Sequence, residues 1–596
     1  MQTLARLCSS WRRSKFRLLA LSMLVGLLGG LTAVAFYYML HLFSAFFLGY
    51  LACFHPPTPG GEDPLFHFGG AGECRRGLLL ALPALGGLAS GILVYRFAPE
   101  AEGHGTDAAI EAFHKLSGLI RTRVPVVKAI ASAFTIGTGG SAGREGPVAQ
   151  MSAGLGSIIA RALGLSTRER ETLVISGISA GIGSIFKAPF GAALFAVEVL
   201  YKRDYEAGAF IHAVVSSFTA YSIFGLVTGW QPIFTIPAYT FTPSELPVFA
   251  ALGLVCGVLS VIYVVVFYGM RDKLFKVLKT PNFLKPTIGG LMLGTLGLVF
   301  PYAMGTGYGW IQQVLTESLE LEVIVPLIFL KMLATSFTIS SGGSGGVFAP
   351  SLVIGAMAGA AMSSLGADML TQPKILPLVG MASFFSGAAK CPLSSIVMVA
   401  EMTGDYNILV PAILASTLSY MVSGEWSIYE KQLPTKVRSP AHFNEILSEL
   451  SRLSSELPKR ATKVLMALKA REVMSRDLVT VDKDAPLESV YLLMLKTGHH
   501  GFPVVDEGKL VGFISIHELG RVSRDLWKKT KVGKVMVKHV KTVPEDEPVY
   551  NIALEMEKLG VGKLVVVDRN DPQKPVGILS KSDVLKAYNT ALILSI

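Results

Sequence analysis

Charge is what this 596-residue chain has little of. Only 16% of its residues are Asp, Glu, Lys or Arg, against 51% hydrophobic, and the mean hydropathy is +0.50. That balance excludes an ordinary soluble multidomain enzyme and suits a polytopic membrane protein with a soluble portion. Cysteine is scarce too. The five (Cys8, Cys53, Cys74, Cys256 and Cys391) are scattered without metal-ligand spacing, so no metal site is expected. Cys53 and Cys74 flank a polar loop and either pair there or are unrelated buried thiols. No Walker-type loop is present, which argues against ATP hydrolysis, and the chain is not expected to be an enzyme. The net charge of +11 comes without a basic aromatic patch, so nucleic acid is not an expected partner.

The charge that is present is uneven. Apolar runs dominate from about residue 18 to 430, and charged residues become frequent from 431 onward. Arg6, Arg12, Arg13, Lys15 and Arg17 precede a first apolar run too long for a signal peptide, which reads as a retained membrane helix. Positive flanks stay cytoplasmic. Both termini are therefore expected on the cytoplasmic side of a cell membrane, with an even number of crossings between them. The expected organisation is an N-terminal segment (1–17), a membrane domain (18–430), a linker with one helix (431–465), and two tail modules (466–527 and 528–590).

Both parts are internally duplicated. "KAIASAFTIGTGGSAGREGP" (128–147) and "KMLATSFTISSGGSGGVFAP" (331–350) agree at ten of twenty positions without a gap, and "KAPFGAALFAVE" (187–198) matches "KCPLSSIVMVAE" (390–401). The offset is 203 in both cases, as a duplicated membrane unit requires. In the tail, "VMSRDLVTVDKDAPLESVYLLM" (473–494) corresponds to "VMVKHVKTVPEDEPVYNIALEM" (535–556). Each tail copy predicts a strand, a turn, an amphipathic helix, two strands and a helix.

Duplicated membrane halves often pack as inverted repeats, with substrate at their interface and broken helices aiming N-termini at an anion. The breaks are present. Several apolar segments fall short of the ~20 residues a crossing needs, and Pro147 and Pro350 stand where glycine-rich segments become helical, a position proline favours. Free backbone amides and helix N-termini, each with roughly half a positive charge, hold an anion without trapping it. Glu145 sits at such a start. As an anion itself, it would occupy the pathway when ionised and vacate it when protonated or displaced. A static pair with Arg144 is disfavoured, because adjacent side chains do not face each other on a helix.

"GREGP" (143–147), "GVFAP" (346–350) and the paired tail repeats resemble the CLC family of chloride channels and chloride/proton antiporters with a CBS-domain pair, over residues 18 to 588. The resemblance implies a polytopic all-α membrane fold of two inverted repeats, of up to eighteen helices, plus a cytoplasmic α/β CBS pair. It also implies homodimers in the lipid bilayer, each subunit with its own pathway for chloride or a related anion. By motif, Glu145 corresponds to the family's gating glutamate. Arg144, Glu145, Gly146, Val347 and Phe348 correspond to the anion-coordinating backbone. "SIYEKQL" (427–433) nominates Tyr429 as the hydroxyl on the central anion.

Two departures stand out. Where the family's first motif reads Gly-Ser-Gly-Ile-Pro, this chain has "GHGTD" (103–107), so His104 stands at the serine position while Gly105, an anion-binding candidate with it, matches the glycine. Either the imidazole donates to the anion, more tightly when charged, or it turns aside and backbone amides coordinate alone. Asp107 adds a negative charge near the pathway. Second, Glu198 is followed by Val199, where many antiporters have a second glutamate. That favours passive conduction over proton coupling, with Glu198 and Glu401 serving structure at helix ends. Proton-coupled exchange of chloride or fluoride is the alternative, and a membrane-anchored nucleotide-sensing regulator is a remote one. In the tail, the resemblance to CBS domains that bind adenine nucleotides (ATP, ADP or AMP) nominates Ser580 and Asp583 of "GILSKSD", whereas Ser515 and Glu518 of "GFISIHE" depart from it by the longer acid; a pair that binds nothing and holds a dimer together is the alternative. No cofactor is required by the membrane part.

Overall fold

The helices of the membrane part come in two matching sets. The computed structural model describes residues 15–62, 65–66, 77–237, 239–317, 319–365, 370–442, 463–499, 501–520, 522, 526–538, 540–559 and 561–594. The chain divides into two compact units, one up to Lys436 and one from Val437. In the first, the helices are α1 (Lys15–Ser44), α2 (Leu78–Phe97), α3 (Thr106–Lys115), α4 (Arg123–Gly137), α5 (Glu145–Ala162), α6 (Thr167–Ile185), α7 (Pro189–Glu198) and α8 (Phe210–Thr228). They return in the same order as α9 (Leu246–Gly269), α10 (Lys285–Val299), α11 (Tyr308–Thr316), α12 (Leu321–Ile339), α13 (Phe348–Leu365), α14 (Ile375–Ala389), α15 (Pro392–Thr403) and α16 (Leu409–Val422). Even irregular features repeat. Both α1 and α9 run into a wide π turn, at Ala45–Leu51 and Met270–Phe275, and 3-10 turns at Pro99–Ala101 and Pro301–Ala303 precede α3 and α11.

Six stretches among the described residues are long and apolar enough to cross a membrane, at Phe16–Leu51, Leu78–Phe97, Ala207–Thr228, Pro243–Phe275, Leu321–Ile339 and Phe348–Leu365. Others fall short of a crossing, α7 having 10 residues and α15 having 12. Non-helical backbone at membrane depth needs partners inside the protein, and the two repeats supply them to each other. The Glu198 carboxylate at the end of α7 accepts from the amides of Leu393 (3.1 Å) and Ser394 (2.9 Å) and from the Ser394 hydroxyl (2.7 Å), at the start of α15. Glu401, late in α15, accepts from the amides of Phe190 (3.1 Å) and Gly191 (2.7 Å) at the start of α7. Each carboxylate satisfies amides that have no partner in their own helix. This reciprocity requires α7 and α15 to lie antiparallel, as inverted repeats demand, and it gives both glutamates the structural role expected of them.

Close helix approach reinforces the arrangement. A Cβ on Gly294 of α10 would fall 2.2 Å from the Leu80 carbonyl of α2, and one on Gly87 of α2 would fall 2.2 Å from the Pro286 carbonyl of α10. Small residues there let backbones touch where lipid offers no hydrophobic drive. Buried lysines repeat as well. Lys128 Nζ donates to the carbonyls of Ala101 (3.0 Å) and Gly103 (2.7 Å), and Lys331 Nζ to those of Ala303 (3.1 Å) and Gly305 (2.8 Å).

Pro147 and Pro350 occupy the third helical position rather than the first, because α5 and α13 already begin at Glu145 and Phe348. Proline is tolerated there since the first four helical amides have no intrahelical acceptor anyway. Cys256 and Cys391 are buried free thiols. Cys8 and Cys74 lie outside the described residues, and so does the 443–462 stretch of the expected linker helix.

The second unit holds β1 (Val481–Asp482), α17 (Leu487–Thr497), β2 (Gly501–Asp506), β3 (Lys509–Ser515) and α18 (Ile516–Gly520), then β4 (Thr542–Pro544), α19 (Val549–Leu559), β5 (Lys563–Val567), β6 (Pro575–Ser580) and α20 (Lys581–Leu594). The order is the one the tail repeats predict. In each three-stranded sheet the first strand pairs parallel with the second and the second antiparallel with the third, with a bulge at Val504/Val505 and at Val566/Val567. Separate apolar cores form on Leu487, Val490, Phe502 and Ile514, and on Val549, Ile552, Leu564 and Leu579.

Candidate anion site

Four helix N-termini meet where the repeats join. The glycine segments ahead of α5 and α13 exchange hydrogen bonds, Gly143 N to Gly346 O at 2.7 Å and Gly346 N to Gly143 O at 2.6 Å. The turn ahead of α3 joins them, with Gly103 N donating to Gly343 O (3.1 Å) and Gly345 N to Gly103 O (3.2 Å). Gly105 has φ +77°, and a Cβ on Gly146 would fall 1.9 Å from the His104 carbonyl, so glycine alone permits this approach. The fourth start is that of α11, whose first residue, Tyr308, reaches Glu145. Thus α3 and α11, and α5 and α13, contribute as two repeat-related pairs.

Glu145 is 1% exposed. Its Oε1 accepts a hydrogen bond from the Tyr308 hydroxyl. Its Oε2 lies against Gly143, and the amides of Glu145 and Ala349 lie close to the carboxylate. A carboxylate so held at the starts of α5 and α13 sits where helix ends favour an anion. Arg144 points elsewhere. Its guanidinium pairs with both oxygens of the buried Glu62, one contact being 3.0 Å, and it lies over the rings of Tyr37 (5.5 Å) and Tyr308 (5.1 Å). The adjacent Arg144 and Glu145 therefore do not pair with each other.

His104 is buried. Its Nε2 stands 3.6 Å from Asp107 Oδ2, ion-pair range rather than a hydrogen bond, while its buried Nδ1 has no hydrogen-bond partner. Asp107, in the first turn of α3, accepts from the Lys431 amide at 3.1 Å through its other oxygen. Tyr429 packs its ring 5.5 Å from that of His104 and 6.3 Å from that of Phe195, with its hydroxyl beside the Thr106 side chain. The segment carrying it is clamped to the end of α14, Ile428 N donating to Ala388 O (2.7 Å) and Gln432 Nε2 to Ala389 O (2.9 Å). Val347 is buried, and Phe348, the repeat counterpart of Glu145, packs against Phe186 (4.4 Å) and Phe385 (3.9 Å).

The structure thus gathers His104, Gly105, Arg144, Glu145, Gly146, Val347, Phe348 and Tyr429 around one junction. Sequence reasoning missed Tyr308, Thr106 and Glu62. The first two had a readable signal. "EGHGTD" (102–107) and "MGTGYG" (304–309) share a Gly-x-Gly at an offset of 202, and all four glycines have positive φ.

The tail candidates lie apart, in the second unit. Ser580 donates from its amide (2.9 Å) and hydroxyl (2.6 Å) to Asp583, and Ser515 does the same to Glu518, with an amide contact of 3.0 Å. In both, a serine and an acid three residues on engage each other at a helix start, as in a capping box. Lys563, paired with Ser580 across β5 and β6, is drawn below the ordinary ammonium range by burial, against the attraction of Asp583.

Fold and site together define a polytopic membrane protein of two inverted repeats, with helix N-termini gathered around a buried carboxylate. The family described as voltage gated chloride channel matches residues 86–424, and CBS domains match 470–524 and 532–590. This chain belongs to that family, the CLC chloride channels and exchangers, and carries two CBS domains. It is 28% identical over 441 residues to chloride channel protein CLC-e of Arabidopsis thaliana, covering 68% of this chain and 60% of that one. It is 29% identical over 355 residues to the H(+)/Cl(-) exchange transporter ClcA of Vibrio campbellii, covering 57% and 76%. Among solved structures, a eukaryotic CLC transporter aligns with 95% of this chain and 98% of its own, with a TM-score of 0.61 at 20% identity. Family membership makes this a membrane protein of anion transport.

Proposed function

We propose that the chain conducts chloride passively through a pathway in each subunit of a homodimer, with Glu145 as the gate. The observation that carries this reading is the seat of the Glu145 carboxylate at the joined starts of α5 and α13. There it takes the place an anion would take. Protonation removes its charge, or an entering anion displaces it, and the pathway opens. His104, Gly105 and Tyr429, with the backbone of Arg144, Gly146, Val347 and Phe348, line the route. The function is transport rather than catalysis, in the cell membrane with both termini cytoplasmic.

Passive conduction is favoured by Val199, an apolar side chain that carries no proton, and by the commitment of Glu198 to capping α15. A second reading, proton-coupled exchange of chloride or fluoride, is favoured by the His104–Asp107 pair, two titratable groups 3.6 Å apart beside Tyr429. The relative named as an exchange transporter also fits it. Simultaneous recording of chloride and pH in vesicles containing the purified chain separates the two. Chloride efflux without proton movement is the expected result. Uphill proton movement driven by a chloride gradient would establish exchange instead, and fluoride movement without chloride would overturn the selectivity.

The CBS pair (466–527 and 528–590) modulates conduction, and an adenine nucleotide is the ligand class for Ser515, Glu518, Ser580 and Asp583. Binding would exchange each serine–acid hydrogen bond for one to the nucleotide. A rise in the melting temperature of the full chain with ATP or AMP is the expected sign, removed by Asp583→Ala. An unchanged melting temperature would leave the tail a purely structural dimer element.

A further inference from the structure

We propose that Tyr308 is an anion ligand of the outer pathway, donating to Glu145 while the carboxylate is seated and to the transported anion once it leaves. The inference rests on the reading of Glu145 as the gate. Tyr308 opens α11, the fourth helix whose N-terminus faces the junction, and its hydroxyl hydrogen is already directed at Glu145 Oε1. The ring is fixed on both sides. It stacks edge-on with Phe234 at 5.9 Å and lies under the Arg144 guanidinium at 5.1 Å, which is itself locked by Glu62. The start of α11 is fixed too, since a Cβ on Gly309 would fall 1.8 Å from the Pro57 carbonyl, and Gln312 accepts from Gly60 at 3.0 Å.

When Glu145 withdraws, a buried hydroxyl loses its acceptor, which is costly unless another acceptor arrives. A halide entering the vacated seat is that acceptor. Tyr308 occupies in the second repeat the place of Thr106 in the first, and Thr106 lies beside the Tyr429 hydroxyl. One phenol therefore serves each end of the route, Tyr308 outside and Tyr429 inside. The charged and titratable groups that act on Glu145 are Arg144 on its own helix end, Tyr308 of α11 and Tyr429 of the 427–433 segment, while Glu62, Tyr37, His41 and Lys187 gather around Arg144.

Tyr308→Phe keeps the ring and removes the donor. In vesicles with the full chain, chloride flux at neutral pH should rise about tenfold, and the acid onset of opening should move up by about one pH unit, the effect of one charge-assisted hydrogen bond. That gain also shows that the variant folds. The decisive comparison is made without the carboxylate. Tyr308→Phe added to Glu145→Ala should raise the chloride concentration giving half-maximal flux about tenfold over Glu145→Ala alone. If Glu145→Ala has lost pH dependence but the added substitution leaves half-saturation unchanged, Tyr308 is not an anion ligand while the gate stands. If Glu145→Ala keeps its pH dependence, the gate reading fails and the inference falls with it.

Discussion

Glu145 and Arg144 are neighbours in sequence with opposite assignments in space. Arg144 is held by Glu62 and two tyrosine rings, which neutralises its charge there, while Glu145 faces the junction and accepts from the Tyr308 phenol. Removing one member of a buried pair leaves an uncompensated charge and costs about 3–5 kcal/mol, whereas replacing both with apolar groups is often neutral. Glu62→Ala should therefore lower the melting temperature of the purified chain sharply, and Glu62→Ala with Arg144→Met should recover most of the loss. Failure of the double variant to recover would mean that the ion pair does more than neutralise Arg144. Glu145 was legible from sequence because a carboxylate at a helix start in an apolar segment is costly without a purpose. Glu62 was not, since 82 positions separate it from Arg144 and no local pattern links a loop to a helix end. His104 was legible as an odd residue, but its lean toward Asp107 depended on the helical spacing of positions 104 and 107 around the α3 start.

Each short helix is completed by its repeat partner. The reciprocal caps of α7 and α15 make this testable, because Glu198 accepts three hydrogen bonds and Glu401 two. Glu198→Ala should destabilise the chain by about 1–3 kcal/mol and Glu401→Ala by somewhat less. Thermal melting reads both, and no loss from either would contradict the capping role. The constant offset of 203 revealed these helices and the α5/α13 pair, because close backbone contact fixes chain length and small residues there. It did not reveal α1/α9 or α3/α11. The connections after them differ in length, and the residues at the junction have diverged, Thr106 against Tyr308 and Asp107 against Gly309. The starting positions of α5 and α13 were misjudged by two residues, as proline is compatible with any of the first helical positions.

At the scale of the molecule, duplication supplies a symmetric cradle and a single residue breaks the symmetry. Two pairs of helix N-termini offer an anion partial positive charge from both repeats, yet one junction carries Glu145 and its counterpart carries Phe348, buried among Phe186 and Phe385. A gate on one side of a shared site needs that asymmetry. In the proposed reading, whether protons accompany the anion turns on Val199 and the His104–Asp107 pair. The gate itself is tested most directly by chloride efflux from vesicles with the Glu145→Ala chain, measured from pH 5 to pH 8 beside the unaltered chain. Flux should persist and become independent of pH. Abolished flux, or a pH dependence equal to that of the unaltered chain, would contradict a carboxylate that stands in for the anion.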